Sequence, residues 1–267
     1  MRLRILSARW LSSPSSPPVV VHFCLERTMC TCILHNGAKT IVGFNFDNPG
    51  WKYKIVQKPT GVYVALQVGP HRFSPMFGVS KNGNFVNAPT LWPERVDARY
   101  RRGDAKHKYV YLDRINHSLL KDEMTLKEAQ ALVERYPLLN EPKVNLQCQD
   151  SDRFGNVLQL FPGVKPYFRY LEKPRYSVLS NFQTLEPDKE IHPWSGRDRY
   201  AIAVAMLEKA TDGFDVNDAF KVLSAVKQTI LACPTDVSLV YDANDNMMYW
   251  VERMDYATIH SYQLGRI

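Results

Sequence analysis

From residue 30 onward, the chain is a succession of short runs in which apolar residues dominate or alternate with polar ones, punctuated by Gly, Asn and Pro. CILHN (32–36), KTIVGFNF (39–46), YKIVQ (53–57), GVYVALQV (61–68), MFGVS (76–80) and NFVNA (84–88) have the length and the β-branched and aromatic content of strands. The pattern changes at Thr125, where Thr-x-x-Glu128 forms a capping box; it predicts a helix over 125–136 that Pro137 stops. Strands are predicted again at 145–149 and 156–161, with the Asp152–Asn156 stretch as the turn between them, and at 176–181. Two helices follow. One covers 199–210 with Asp198 as its expected cap. The other covers 216–230, opens on Asp215 and Asp218, and carries Val216, Phe220, Leu223 and Val226 on one face. Residues 237–252 read as a closing hairpin around an Asp/Asn-rich turn. Strands, then helices, then strands predict a mixed α+β fold with largely antiparallel sheets.

Residues 1–28 are unlike the rest. LSSPSSPP (11–18) has loop composition, and VVVHF (19–23) is too short for the apolar core of a secretory signal. The readings, in order of preference, are a mis-set start with Met29 as the true first residue, a removable propeptide, and a poor targeting signal. We therefore divide the chain into an extension, 1–29, and one domain, 30–267. With 45% hydrophobic residues, the chain can bury one sizeable core. No run approaches the roughly 18 apolar residues of a membrane span. The formal charge of +7 falls to +4 without residues 1–28, which hold four arginines against one glutamate. That is too mild to argue for nucleic acid. Five cysteines without repeating spacing do not form a disulfide framework and fit a reducing cytoplasm. Cys30-Thr31-Cys32 lacks a second Cys/His pair at ligand spacing, so neither a metal nor a cofactor is expected.

Met29-Cys30 is the most informative dipeptide. An initiator Met is normally removed before a small residue, which leaves a free α-amine on the residue that carries the thiol. Their reference pKa values of about 7.7–8.0 and about 8.5 let the amine take the thiol's proton near neutral pH. Cys30-Thr31 opening a strand, followed by Gly43-Phe-Asn-Phe-Asp47, resembles the start of the choloylglycine hydrolase and penicillin V acylase family of N-terminal-nucleophile hydrolases. Gly83-Asn-Phe-Val-Asn87, Val178-Leu-Ser-Asn181, Asp198-Arg199-Tyr200 and the segment 234–250 resemble later parts of that family, in the same order.

The resemblance implies a four-layer αββα sandwich and a hydrolase of linear, non-peptide C–N amide bonds. Carried over, it makes Cys30 the nucleophile with its α-amine as base, and Asp47 the group that holds that amine. Asn87 and Asn181 would face the oxyanion, and Arg199 would lie near the sulfur and favour the thiolate. Structural alternatives stand beside each role. Asp47 in Phe-Asp-Asn-Pro-Gly suits an Asx turn, Asn87 and Asn181 suit strand ends, and Arg199 suits a surface ion pair with Asp198 or Glu208. Arg199 is nonetheless unfavourable to the macrodipole at a helix start. One departure is evident: Phe44 stands where the family carries Arg, which leaves bile-salt or penicillin preference open.

Two further functions compete. An acyltransferase would use the same acyl-enzyme with an amine acceptor. A non-catalytic nucleic-acid or protein-binding domain would draw on the basic, Tyr-bearing stretch Arg95–Arg114, although Asp97, Asp104 and Asp113 break up its charge. The expected partners are a small-molecule amide and, left open, a second copy of the chain, with neither membrane nor nucleic acid.

Overall fold

The computed structural model describes residues 30–92, 108–141, 144–185 and 195–265. The extension 1–29 and most of the basic stretch, 93–107, lie outside the described residues. In chain order the first strands are β1 (Thr31–Asn36), β2 (Thr40–Asp47), β3 (Tyr53–Lys58), β4 (Gly61–Gly69), β5 (Arg72–Ser80), β6 (Phe85–Val86) and β7 (Val110–Tyr111). Helices α1 (Leu112–Leu120) and α2 (Leu126–Arg135) follow. Next come β8 (Leu138–Leu139), β9 (Cys148–Ser151), β10 (Val157–Leu160), β11 (Phe168–Leu171) and β12 (Tyr176–Leu179). The chain ends with α3 (Arg197–Glu208), α4 (Val216–Ala225), β13 (Thr235–Asp242), β14 (Met247–Glu252) and β15 (His260–Gln263).

Among the described residues, two antiparallel sheets dominate. One has the order β12-β1-β2-β13-β14-β15 and the other β11-β10-β9-β6-β5-β4-β3. Period-2 alternation sorts their side chains. In β2, Val42, Phe44 and Phe46 point into the space between the sheets, while Ile41 points to the far face; in β13, Val237, Leu239 and Tyr241 point in and Val240 out. The outward residues of the first sheet pack under α3 and α4, with Ala203, Leu207, Phe220 and Leu223. Those of the second, among them Tyr63, Val86, Leu158 and Leu160, pack under α1 and α2. Strands buried on both faces explain the near-continuous apolar runs in the sequence. The result is the αββα sandwich, built on three apolar layers.

Most predicted elements stand where expected. Thr125 caps α2 with its reciprocal Glu128 bonds, and Asp215 and Asp218 do the same for α4. Asp198 is not the cap of α3: Gly196, in the left-handed region at φ 69°, precedes that helix, which starts earlier and takes Asp198 into its first turn. A Cβ at Gly196 would lie 2.3 Å from Ser180 Oγ and 2.4 Å from Arg199 Nη2, so the position serves close packing as well as the turn.

Candidate active site

In the first sheet, β12, β1, β2 and β13 alternate in direction. The end of β12, the start of β1, the end of β2 and the start of β13 therefore meet at one edge. These four termini supply Asn181, Cys30, Asp47 and Thr235, and the first turn of α3 supplies Arg199. Residues separated by as many as two hundred positions in the chain are gathered by strand direction alone.

Arg199 ties the group together. It is 5% exposed. Its Nη1 donates to Thr31 Oγ1 (2.9 Å) and Asp47 Oδ2 (3.3 Å), and its Nη2 to Asn181 Oδ1 (2.9 Å). A cation in the first turn of a helix opposes the macrodipole, and three acceptors aimed at its planar fork offset that cost. Asp47 is fully buried and accepts a second bond from Thr235 Oγ1 (2.5 Å). Burial pushes its carboxyl up to about 7, against the pull of Arg199 and of the Thr235 hydroxyl. It therefore changes charge close to neutral pH.

Cys30 is 2% exposed. Burial, and then the Asp47 carboxylate, raise its thiol well above the usual range; the Asp47 backbone N–H and, more weakly, Arg199 oppose them. Its carbonyl accepts from Ser180 Oγ (3.2 Å). Asn181 donates through Nδ2 to Thr90 O (2.6 Å) while its Oδ1 takes Arg199, so the carboxamide is held at a fixed angle. Arg199 is bonded to Thr31, Asp47 and Asn181, its charge acts to lower the Cys30 thiol, and the expected surface pair with Asp198 or Glu208 is not what holds it.

Asn87 takes its side-chain hydrogen bonds outside this group. Its Oδ1 accepts from Cys32 Sγ (3.0 Å) and Gln149 N (3.0 Å), and its Nδ2 donates to Gln149 O. Its backbone N–H donates to Asp150 Oδ1 (3.2 Å). The carboxamide joins the two sheets beneath Cys32. Phe44, at the position where the resemblance expects Arg, is fully buried and edge-on to Phe77 at 5.2 Å.

Thr31, Ser180, Gly196 and Thr235 belong to the site and were not singled out by sequence. Thr235 lies within the segment 234–250 that carries the resemblance, but one hydroxyl beside a proline has no pattern to mark it.

Asp150 is a second buried carboxyl pushed up to about 7 by desolvation, with the Cys148 thiol and the Asn87 N–H as its bonded partners. Between about pH 4 and 7 the folded state holds a proton that the unfolded state has lost, so stability falls as pH rises through that window. Asp150→Asn is expected to reduce this slope, to which Asp47 also contributes, and to gain on the wild type by on the order of a few kcal/mol at pH 8, at about 1.36 kcal/mol per unit. Urea unfolding of both proteins at pH 5 and pH 8 tests it; equal slopes refute it.

No family model and no curated protein matches this sequence. Solved structures do. An arginine-to-leucine variant of conjugated bile acid hydrolase from Clostridium perfringens aligns at TM-score 0.63 and 12% identity, over 88% of this chain and 92% of that one. A Caenorhabditis elegans N-acylethanolamine-hydrolyzing acid amidase ortholog aligns at TM-score 0.53 and 15% identity, over 80% and 93%. Penicillin V acylase from Agrobacterium tumefaciens aligns at TM-score 0.51 and 13% identity, over 88% and 92%. No helix among the described residues is long and apolar enough to cross a membrane. The chain therefore shares the αββα fold of these three solved proteins over 80–88% of its length.

Proposed function

We propose that the chain, once it begins at Cys30, is a cysteine N-terminal-nucleophile hydrolase that cleaves a linear, non-peptide C–N amide bond through an acyl-enzyme. The observation that carries this reading is the meeting of Cys30 with Asp47, Asn181 and Arg199 at one edge of the first sheet. The free α-amine takes the thiol proton, and the sulfur attacks the amide carbon. The C–N bond breaks as the ammonium returns that proton to the departing amine, leaving a thioester on Cys30. Water, deprotonated by the same amine, then releases the acid and restores the thiol. Asp47 holds the ammonium while ionised, and the Asn181 carboxamide is the oxyanion donor, a contact worth roughly 2.7–4 kcal/mol in the transition state. Asn87, bound to Cys32 and Gln149, supports the site from below. Arg199 is a positioning residue: it keeps Asp47 ionisable and Asn181 aimed.

The test compares the chain started at Met29 with the full chain, using intact mass and hydrolysis of a panel of N-acyl aminocoumarins. Turnover is expected in the species whose mass begins at Cys30, with none in a species that retains Met29. Turnover by a chain still acylated on the Cys30 nitrogen overturns the mechanism. Added amine acceptors distinguish acyl transfer from hydrolysis by product mass.

A further inference from the structure

Thr235 opens β13 opposite Asp47 in the sheet register and is fully buried. Its Oγ1 accepts from Gln228 N (2.8 Å) and donates to Asp47 Oδ1 (2.5 Å), and its own N–H donates to Gln228 O (2.9 Å). A hydroxyl has one proton to give and two lone pairs to receive with. The Gln228 N–H occupies one lone pair, and the single Thr235 proton goes to Asp47. The reciprocal bonds to Gln228 hold the residue at the base of the loop between α4 and β13, so the oxygen is fixed toward the carboxyl.

That direction decides which form of Asp47 fits. Oδ1 meets the Thr235 O–H, and Oδ2 meets the Arg199 Nη1–H at 3.3 Å. A proton on Oδ2 would set O–H against N–H. A proton on Oδ1, turned toward the hydroxyl, would leave the Thr235 proton without an acceptor. Both partners therefore suit the carboxylate, against a burial cost that favours the acid. The other ionisable groups nearby do not help. Asp236, next along β13, disfavours a second negative charge, while the Cys30 thiol and the Tyr256 phenol are groups whose own ionisation Asp47 opposes. Arg199 from α3 and Thr235 from β13 hold the charge between them.

We propose that Thr235 is a second positioning residue of the Cys30 site, whose hydroxyl holds Asp47 as the carboxylate that grips the α-ammonium. It acts through Asp47 alone. The role rests on the amidase reading, since the Cys30 amine is what Asp47 serves there, so the test includes a measurement that needs no turnover. Thr235→Val keeps the side-chain shape and removes the donor.

The first measurement is a carboxyl-carbon NMR titration of Asp47 in the Cys30→Ala protein started at Met29, with the signal assigned by its loss in Asp47→Asn. Thr235→Val should raise the Asp47 midpoint by about one to two pH units, and Thr235→Ser should return it to the parent value. The second is the pH profile of kcat/KM for an N-acyl aminocoumarin in the active protein. The valine form should lose about tenfold or more at pH 6 and about twofold or less at pH 9, with the serine form following the parent. An equal loss at every pH marks a merely structural residue and overturns the proposal. So does an Asp47 midpoint that Thr235→Val leaves in place. Should the valine chain fail to fold, Thr235→Cys keeps an acceptor for Gln228 and offers Asp47 a weaker donor. Its midpoint should still rise, by on the order of half a pH unit, and an unmoved one overturns the proposal equally. A raised midpoint in a protein without turnover counts against the amidase reading and leaves the hold of Thr235 on Asp47 standing.

Discussion

Cys30→Ala is expected to lower kcat/KM for an N-acyl amide by on the order of 10⁴–10⁶-fold, because it removes the nucleophile and leaves an α-amine with no thiol to deprotonate. The substitution removes a single buried sulfur, so unfolding should shift by about 1 kcal/mol and circular dichroism should not change. Iodoacetamide gives an independent reading. Inactivation of the trimmed protein should track alkylation of Cys30 while Cys148, fully buried against Asp150, stays unmodified. In a chain still carrying residues before Cys30, the thiol has no amine to deprotonate it and is raised by burial and by Asp47, so alkylation should be slow at pH 7. Full activity in Cys30→Ala, or equal alkylation of Cys30 and Cys148, refutes the assignment.

Arg199→Met should be the most damaging single substitution for stability, costing about 3–5 kcal/mol, the range for removing one partner of a buried ion pair. The loss leaves Asp47, Asn181 Oδ1 and Thr31 Oγ1 facing an apolar side chain. It also removes a group that lowers the Asp47 carboxyl, so that carboxyl should rise further above about 7 and be protonated at neutral pH. The activity that remains should therefore require a higher pH. Arg199→Lys should recover little, since an ammonium cannot span three acceptors in one plane. Asp47→Asn in the Arg199→Met background should restore part of the stability at alkaline pH, where the unfolded carboxyl is ionised and the buried one resists ionisation. A cost under about 1 kcal/mol by urea unfolding contradicts the arrangement.

Much of the fold was legible because its signals are local. The period-2 runs of β1 through β5, the capping boxes of α2 and α4, and the closing hairpin all depend on residues a few positions apart. Strands β11 and β15 were missed: both lie at sheet edges and are partly exposed, FRYL is only four residues long between Pro166 and Pro174, and HSYQ has little apolar content to stand out. Helix α1 was blurred by the basic stretch before it. Asp198 was a reasonable cap by residue type, but Gly196 takes that place because Arg199 and Ser180 need the space a Cβ would fill.

Residue identity and local spacing are enough for the α+β class, the order of elements and the chemical candidates, since a thiol next to a removable Met and an Asp at a strand end can be read position by position. Which of those candidates meet depends on the packed fold. Strand direction brought Cys30, Asp47, Asn181 and Thr235 to one edge, and the αL residue before α3 turned Arg199 inward among them. Asn87 matched the same pattern of residues, yet its side chain is bonded to Cys32 and Gln149. Partner choice depends on distances between strands far apart in the chain, and one-dimensional spacing does not encode them.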